Sequence, residues 1–190
     1  IKQRVGIAER HVSTNEWTSE MACKAAQSAL ENAGCTAADL DYILTASVSA
    51  ETVSPSSACM LQHLLGATCP ALEINAACSA FIFLLETAAG LFARKKASKI
   101  LVVGAERLSG IVDWSDRSLC VLFGDGAGAV VVTEGDGLIC SRLTTTSKVD
   151  CLHYVRRLEP TPYITKEEYS GPMYMNGKEV FKTAVLSSSR

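Results

Sequence analysis

Apolar positions along the chain change their period several times, and each change marks a predicted element. Between residues 18 and 33, Met21, Ala22, Ala25, Ala26, Ala29, Leu30 and Ala33 recur three and four apart, the spacing of one helix face. Gly34 follows as a helix stop. Asp41 to Ser49 reads as a strand. Ser54 and Pro55 then have the form of an N-cap and a first helical residue, with Gly66 closing that helix. Ala71 to Ala76 is a short apolar strand. Ser79 to about Arg94 is a long helix, apolar on most sides, whose basic end Arg94-Lys95-Lys96 suits the negative pole of the helix dipole. Lys99 to Ala105 is a β-branched strand. Ala127–Thr133 and Leu138–Thr145 read as two further strands, with a hairpin turn signal, Glu134-Gly135-Asp136-Gly137, between them. Residues 147–173 are charged and aromatic, carry Pro160, Pro162 and Pro172, and read as an excursion loop. Asn176 offers an N-cap for a helix through about Ser187.

Strands alternating with helices in this rhythm predict parallel βαβ units, hence an α/β fold. The strands are short and apolar on both faces, as a sheet covered by helices requires. Composition agrees. The 190 residues are 48% hydrophobic and 20% charged, which excludes a disordered or fibrous chain. A domain of this size buries roughly 70% of its unfolded surface and needs no metal or disulfide to fold. A net charge of -2 gives no bulk attraction to nucleic acid or an anionic membrane. The apolar run from Ile74 to Ala93 contains Asn75, Ser79, Glu86 and Thr87, so a buried helix explains it better than a membrane span.

Cys23, Cys35, Cys59, Cys69, Cys78, Cys120, Cys140 and Cys151 show no C-x-x-C spacing, so neither a zinc ribbon nor a dithiol redox pair is visible. Most of them sit in apolar stretches, as reduced buried thiols do. Cys78 differs. In Asn75-Ala76-Ala77-Cys78-Ser79-Ala80-Phe81 a strand ends and a helix begins, and small neighbours leave room around the sulfur. A helix N-terminus offers unpaired N–H groups and positive potential, which favour a thiolate and a developing oxyanion. That is the strand–elbow–helix arrangement of a covalent catalyst. The same residues also fit a small core position at a tight bend.

The glycine-rich stretch Phe123 to Ala129 leads into a strand and not into a helix, so it reads as a structural turn whose glycines allow close approach near Cys78, not as a phosphate cradle. A nucleophilic cysteine usually needs a base. His11, His63 and His153 stand in no motif that aims them at Cys78. Arg4 and Arg117 are candidate anion contacts, although isolated arginines are more often solvated surface residues.

These residues resemble a known family. Asn75 to Phe81 resembles the active-site cysteine motif of the β-ketoacyl-acyl-carrier-protein synthase III family, condensing enzymes of the thiolase fold. Four further blocks resemble the family in the same order: Arg4-Val5-Gly6-Ile7-Ala8-Glu9-Arg10, Pro55-Ser56-Ser57-Ala58, Asp116-Arg117 with Phe123 to Ala129, and Met175 to Lys182. The resemblance implies the first half of a duplicated αβαβα layered fold, with a mixed sheet and a buried central helix. Residues 1–146 would form the thiolase-like core without its first strand, residues 147–173 the loop, and residues 174–190 a helix near the end of that half. The C-terminal half would be absent.

The resemblance also implies an acyltransferase. Cys78 would take an acyl group from a coenzyme A thioester, then condense it with malonyl-acyl carrier protein, releasing carbon dioxide and starting a fatty acid chain. Cys78 N–H would supply one oxyanion donor. Arg4 and Arg117 would contact the nucleotide end of coenzyme A. Leu108, Phe123 and Phe181 would line the channel or acyl pocket, with Gly177 permitting close approach. Ser54 stands where the family often places a bulky residue reaching into the neighbouring subunit's acyl pocket, so a longer or branched primer is expected to fit. The family implies a cytoplasmic homodimer with no metal or redox cofactor, coenzyme A serving only as the carrier of the substrate. Its catalytic His and Asn, and its second oxyanion glycine, lie in the missing half. Two alternatives remain open at this point: a polyketide-type or hydroxymethylglutaryl-type synthase, and a non-catalytic acyl-binding or assembly subunit.

Overall fold

A computed structural model describes residues 2–154 and 172–188. Its elements are α1 (Lys2–Val5), α2 (Thr18–Ala33), β1 (Tyr42–Ala46), α3 (Ser57–Leu65), β2 (Ala71–Glu73), α4 (Ala80–Ala93), β3 (Lys99–Arg107), β4 (Asp125–Thr133), β5 (Leu152–His153), β6 (Tyr174–Met175) and α5 (Gly177–Ser188). They form two compact units. One comprises His11–Leu108 and Gly124–Leu143; the other comprises Ile1–Arg10, Ser109–Phe123 and Thr144–Arg190.

The larger unit is built on a four-stranded sheet of order β2-β1-β3-β4. β1 runs parallel to β2 and β3, whereas β4 is antiparallel to β3, so the sheet is mixed as expected. Side chains along β3 alternate between two cores. Leu101, Val103 and Ala105 join Ile43 with Ala22, Ala26 and Leu30 of α2 and Leu61 of α3. Ile100 and Val102 join Leu44 and Ala46 with Ala80, Leu84, Ala88 and Phe92 of α4. The sheet is thus the middle of three layers, with α2 and α3 on one face and α4 on the other. Each fully buried Leu, Ile or Val in these cores contributes roughly 1.5–3 kcal/mol.

The ends of the elements follow local chemistry. α2 starts where the Glu20 carboxylate accepts the Trp17 N–H at 2.7 Å. It stops at Gly34, whose φ of 62° is the left-handed C-cap that glycine adopts without penalty. α3 begins at Ser57, later than Ser54-Pro55 predicts. The Ser54–Pro55 bond is cis and precedes the helix, and Ser56 is the N-cap, its hydroxyl accepting the Cys59 N–H at 3.4 Å. Glu73 accepts the Ser57 N–H at 2.6 Å and so caps the same end. β1 ends at Ala46 and not Ser49, because Ser47, Val48 and Ser49 bond to the Glu106 carboxylate instead of a neighbouring strand. β2 ends at Glu73, and Asn75 and Ala76 belong to the bend that follows.

Two expectations on the C-terminal side of the sheet are corrected. The predicted strand Ala127–Thr133 is present but begins earlier, so Asp125 and Gly126 are strand and not turn, since each residue from Asp125 to Thr133 pairs with β3. A Cβ added at Gly126 or Gly128 would meet nothing within 4 Å, so neither glycine serves a close approach here. Leu138–Thr145 is not a strand and Glu134 to Gly137 closes no hairpin. Leu138 instead faces α4 across a groove, and Ile139 is 93% exposed, so the stretch lacks the alternating burial that holds a strand in a sheet.

In the smaller unit, β5 pairs antiparallel with β6, and the His153 ring stacks on Tyr174 with centroids 5.1 Å apart. Met173 is buried and its N–H donates to Ile111 O at 3.0 Å. Asn176 caps α5 as predicted, its side-chain oxygen accepting the Glu179 N–H at 3.3 Å. Of the predicted excursion loop, residues 155–171 lie outside the described residues.

Candidate active site

β1, β2 and β3 run parallel, and α4 returns from the end of β2 to the start of β3. α4 therefore starts at the carboxyl end of the strands, where open α/β sheets place their chemistry. The link from β2 is short. Ala76 has φ -135° and ψ 30°, Ala77 has φ 47°, and Ala77–Ser79 form a single 3-10 turn before Ala80 opens the helix. A positive φ at a residue with a Cβ costs about 1–2 kcal/mol and is least tolerated by β-branched side chains. Two bonds hold the bend: Ser79 N–H to Ala76 O at 3.2 Å, and Ala77 N–H to the Asn75 side-chain oxygen at 3.4 Å.

Cys78 sits at this bend and is exposed. The alternative reading of a small core residue is thereby overturned. Among the described residues the Cys78 N–H meets no acceptor, as the first amides of a helix do not. Only Cys23 and Cys69 are buried, so the expectation that most thiols are buried is corrected; Cys59 and Cys140 are exposed as well. Burial pushes the Cys23 and Cys69 thiols up, which leaves them poor nucleophiles.

Ser54 and Leu108 belong to the same unit as Cys78. Ser54 is exposed in the loop between β1 and α3, and Leu108, half-buried, opens a 3-10 turn directly after β3. Arg4, Arg117, Phe123, Gly177 and Phe181 belong to the smaller unit. Arg4 lies in α1. Arg117 is exposed, between Asp116 and Ser118, whose N–H and hydroxyl both donate to Asp116. Phe123 is half-buried and Phe181 is 72% exposed. A Cβ on Gly177 would sit 3.7 Å from Met175 Cε, an ordinary contact, so no tight approach is visible there.

No hydrogen bond among the described residues links a histidine to Cys78. His11 is exposed and its carbonyl accepts the Asp125 N–H, His63 is exposed near the end of α3, and His153 is stacked on Tyr174. No group of three or more His, Cys, Asp or Glu among the described residues is arranged to hold a metal ion. No helix among them is long and apolar enough to cross a membrane.

One group at this end of the sheet carried no sequence signal. Glu106 ends an apolar strand, and its carboxylate accepts the N–H of Val48 at 2.9 Å, the N–H of Ser49 at 3.1 Å and the hydroxyls of Ser47 and Ser49. Burial pushes this carboxyl above the ordinary glutamate range, outweighing the donors that favour the charged form. A groove of about 640 Å³ lies further along α4, between Leu85, Ala88, Phe92 and Val132, Glu134, Leu138; Cys78 is not part of it.

Residues 72–147, which include the Cys78 bend and β4, match the family model for 3-oxoacyl-[acyl-carrier-protein (ACP)] synthase III. The chain is 44% identical over 187 residues to the β-ketoacyl-[acyl-carrier-protein] synthase III of Vesicomyosocius okutanii, covering 97% of this chain and 57% of that protein. It is 42% identical to the enzyme of the same name from Thioalkalivibrio sulfidiphilus, covering 60% of it. The crystal structure of the Aquifex aeolicus 3-oxoacyl-[acyl-carrier-protein] synthase III superposes with a TM-score of 0.84 at 39% identity, covering 96% of this chain and 57% of that one. The chain therefore spans under two thirds of the length of these relatives, and its mixed α/β sheet is of the thiolase type. Over the stretch it shares with them, the chain is similar to the β-ketoacyl-[acyl-carrier-protein] synthase III family.

Proposed function

We propose that this chain carries the acylation half of a condensing acyltransferase that initiates fatty acid synthesis. The observation that carries the reading is the exposed Cys78 at the mouth of α4, next to a bend held at positive φ. Cys78 Sγ, as thiolate, attacks the carbonyl of an acyl-coenzyme A. The tetrahedral oxyanion forms beside the Cys78 N–H, the C–S bond to coenzyme A breaks, and the departing thiolate takes a proton from solvent. The acyl-cysteine is the product of this half-reaction.

In the second half, malonyl-acyl carrier protein loses carbon dioxide, and the resulting carbanion attacks the acyl carbonyl. The Cys78 thiolate leaves and a β-ketoacyl product remains on the carrier protein. The His and Asn assigned to that step by resemblance fall outside these 190 residues. Arg4 and Arg117 are proposed contacts of the coenzyme A nucleotide, and Leu108, Phe123, Gly177 and Phe181 are proposed walls of the channel. Ser54, small and exposed, is the proposed gate of the acyl pocket in a homodimer, working in the cytoplasm without metal or redox cofactor. The relatives from Vesicomyosocius okutanii, Thioalkalivibrio sulfidiphilus and Aquifex aeolicus are named as synthase III at 39–44% identity, against 30% for a priming β-ketosynthase of a polyketide pathway, which favours the initiating synthase.

The test is acylation of the natural full-length protein. Incubated with acetyl-coenzyme A, it is expected to gain one acetyl group on the peptide that carries Cys78, and Cys78→Ala is expected to gain none there. Labelling that persists in Cys78→Ala, or none in the wild type, overturns the assignment.

A further inference from the structure

The carboxyl end of β3 holds a group that the acylation chemistry does not use. Glu106 falls on the α4 side of the sheet, two residues beyond Gly104, where an added Cβ would touch Phe81 of α4 at 3.8 Å. Its carboxylate turns away from solvent and into the segment that leaves β1. It takes the N–H groups of Val48 and Ser49 and the hydroxyls of Ser47 and Ser49. Ser49 extends the link: its hydroxyl accepts the Arg107 N–H at 2.7 Å, and its carbonyl accepts the Thr18 hydroxyl at 2.8 Å. Glu51 then accepts from the Ser19 N–H at 3.3 Å and from the Ser19 hydroxyl.

Beyond Glu51 the ties stop. Thr52 reaches only Pro55 O, at 2.7 Å, while Val53 is 68% exposed and Ser54 and Pro55 are exposed. The loop thus has a fixed base and a free tip, and Ser54 stands on the tip. Among the described residues no Lys, Arg or His forms an ion pair with Glu106. A half-buried carboxylate without a cation is an expensive way to fasten a loop if fastening were its whole task.

We propose that Glu106 is a positioning residue for primer selection: by clamping Ser47, Val48 and Ser49 to the end of β3, it fixes where the Ser54 loop stands and so which acyl chain lengths the neighbouring subunit's pocket accepts. The inference rests on the reading of Cys78 and Ser54 given under Proposed function. Small displacements of such a wall change discrimination between substrates that differ by methylenes, because each methylene in an apolar pocket is worth about tenfold or more.

The test uses the natural full-length protein and measures kcat/KM for acetyl-coenzyme A and for hexanoyl-coenzyme A in the wild type, Glu106→Gln, Ser49→Ala and Leu30→Ala. Glutamine keeps the shape but turns an NH2 group towards donors. The hexanoyl-to-acetyl ratio is expected to change by about threefold or more in Glu106→Gln and in the same direction in Ser49→Ala. Leu30→Ala opens the core on the opposite face of the sheet; it is expected to lower the melting temperature and leave the ratio alone. A folded Glu106→Gln with the wild-type ratio overturns the proposal, as does Leu30→Ala moving the ratio equally. Should Glu106→Gln not fold, Ser49→Ala decides in the same two senses. A wild type that takes no acyl group onto Cys78 from either thioester sinks the acyl-transfer reading and this inference with it. A wild type that is acylated, with a ratio no variant moves, sinks this inference alone.

Discussion

Two junctions leave the same end of the same sheet, and they are built on opposite plans. The one from β1 to α3 is long and stitched by carboxylates: Glu106 holds Val48 and Ser49, Glu51 holds Ser19, and Glu73 holds the first amide of α3. The one from β2 to α4 is short, uses small residues, stores its shape in the backbone at Ala77, and leaves Cys78 exposed. Side-chain hydrogen bonds position a loop that must stand at a set place. Backbone geometry shapes a bend that leaves the Cys78 amide and sulfur uncommitted, as the proposed nucleophile requires.

The contrast breaks most readily at Glu106. Glu106→Ala strips acceptors from two backbone amides and two hydroxyls, and is expected to lower the unfolding free energy by about 3 kcal/mol in urea titrations. The same carboxyl has a pH signature. Folding raises its pKa, so the native state keeps a proton that the unfolded chain has lost. Its contribution is full below the ordinary glutamate pKa of about 4.3, declines as pH rises through the raised value, and is then level. Asp41 acts in the opposite sense. The Ser98 and Lys99 amides hold its carboxyl below the usual range, so its contribution is present at neutral pH and lost on acidification. Glu106→Gln is expected to flatten the decline from about pH 4 upward in unfolding measurements, and an unchanged slope would show that Glu106 does not titrate there.

At the other junction, Ala77→Val forces a β-branched side chain into positive φ and is expected to cost about 2 kcal/mol, whereas Ala77→Gly gains up to about 1 kcal/mol. If both are neutral, the bend is not set by its backbone. Ser56→Ala removes an N-cap with one long bond and is expected to cost about 0.5 kcal/mol, less than the loss at Glu106. Cys78→Ala closes the series: acylation is lost, while stability moves by less than about 0.5 kcal/mol, because the side chain is exposed. A large destabilisation there would make Cys78 a packing residue and erase the distinction.

The helices were legible from different signals: α2 from its apolar spacing and Gly34 stop, α4 from its apolar run, and α5 from its Asn176 cap. The bend at Cys78 was legible too, since a strand, a run of small residues and a helix sit side by side in sequence. The start of α3 was misplaced by the attractive Ser54-Pro55 pair. The capping oxygens that decide it come from Ser56 and from Glu73, which is distant in sequence. The start of β4 was placed two residues late, at Ala127, because Asp125 and Gly126 have no apolar signature; only the pairing with β3 makes them strand. Glu106 was invisible for the same reason. A glutamate ending a strand is ordinary until the fold brings Ser47–Ser49 to it.

β3 also works as a ruler. It pairs with β1 on one side and β4 on the other, and its alternating residues are sorted into two different cores. A slip of one position would drive the Glu106 carboxylate in among the alanines of α2 and turn Val103 and Leu101 towards α4. No such slipped arrangement can be reached gradually, because both neighbouring strands and both helical layers would have to exchange partners at once. The alignment of this one strand is therefore a single yes-or-no decision of folding, and the place of Glu106 beneath the Ser47–Ser49 segment is inherited from it.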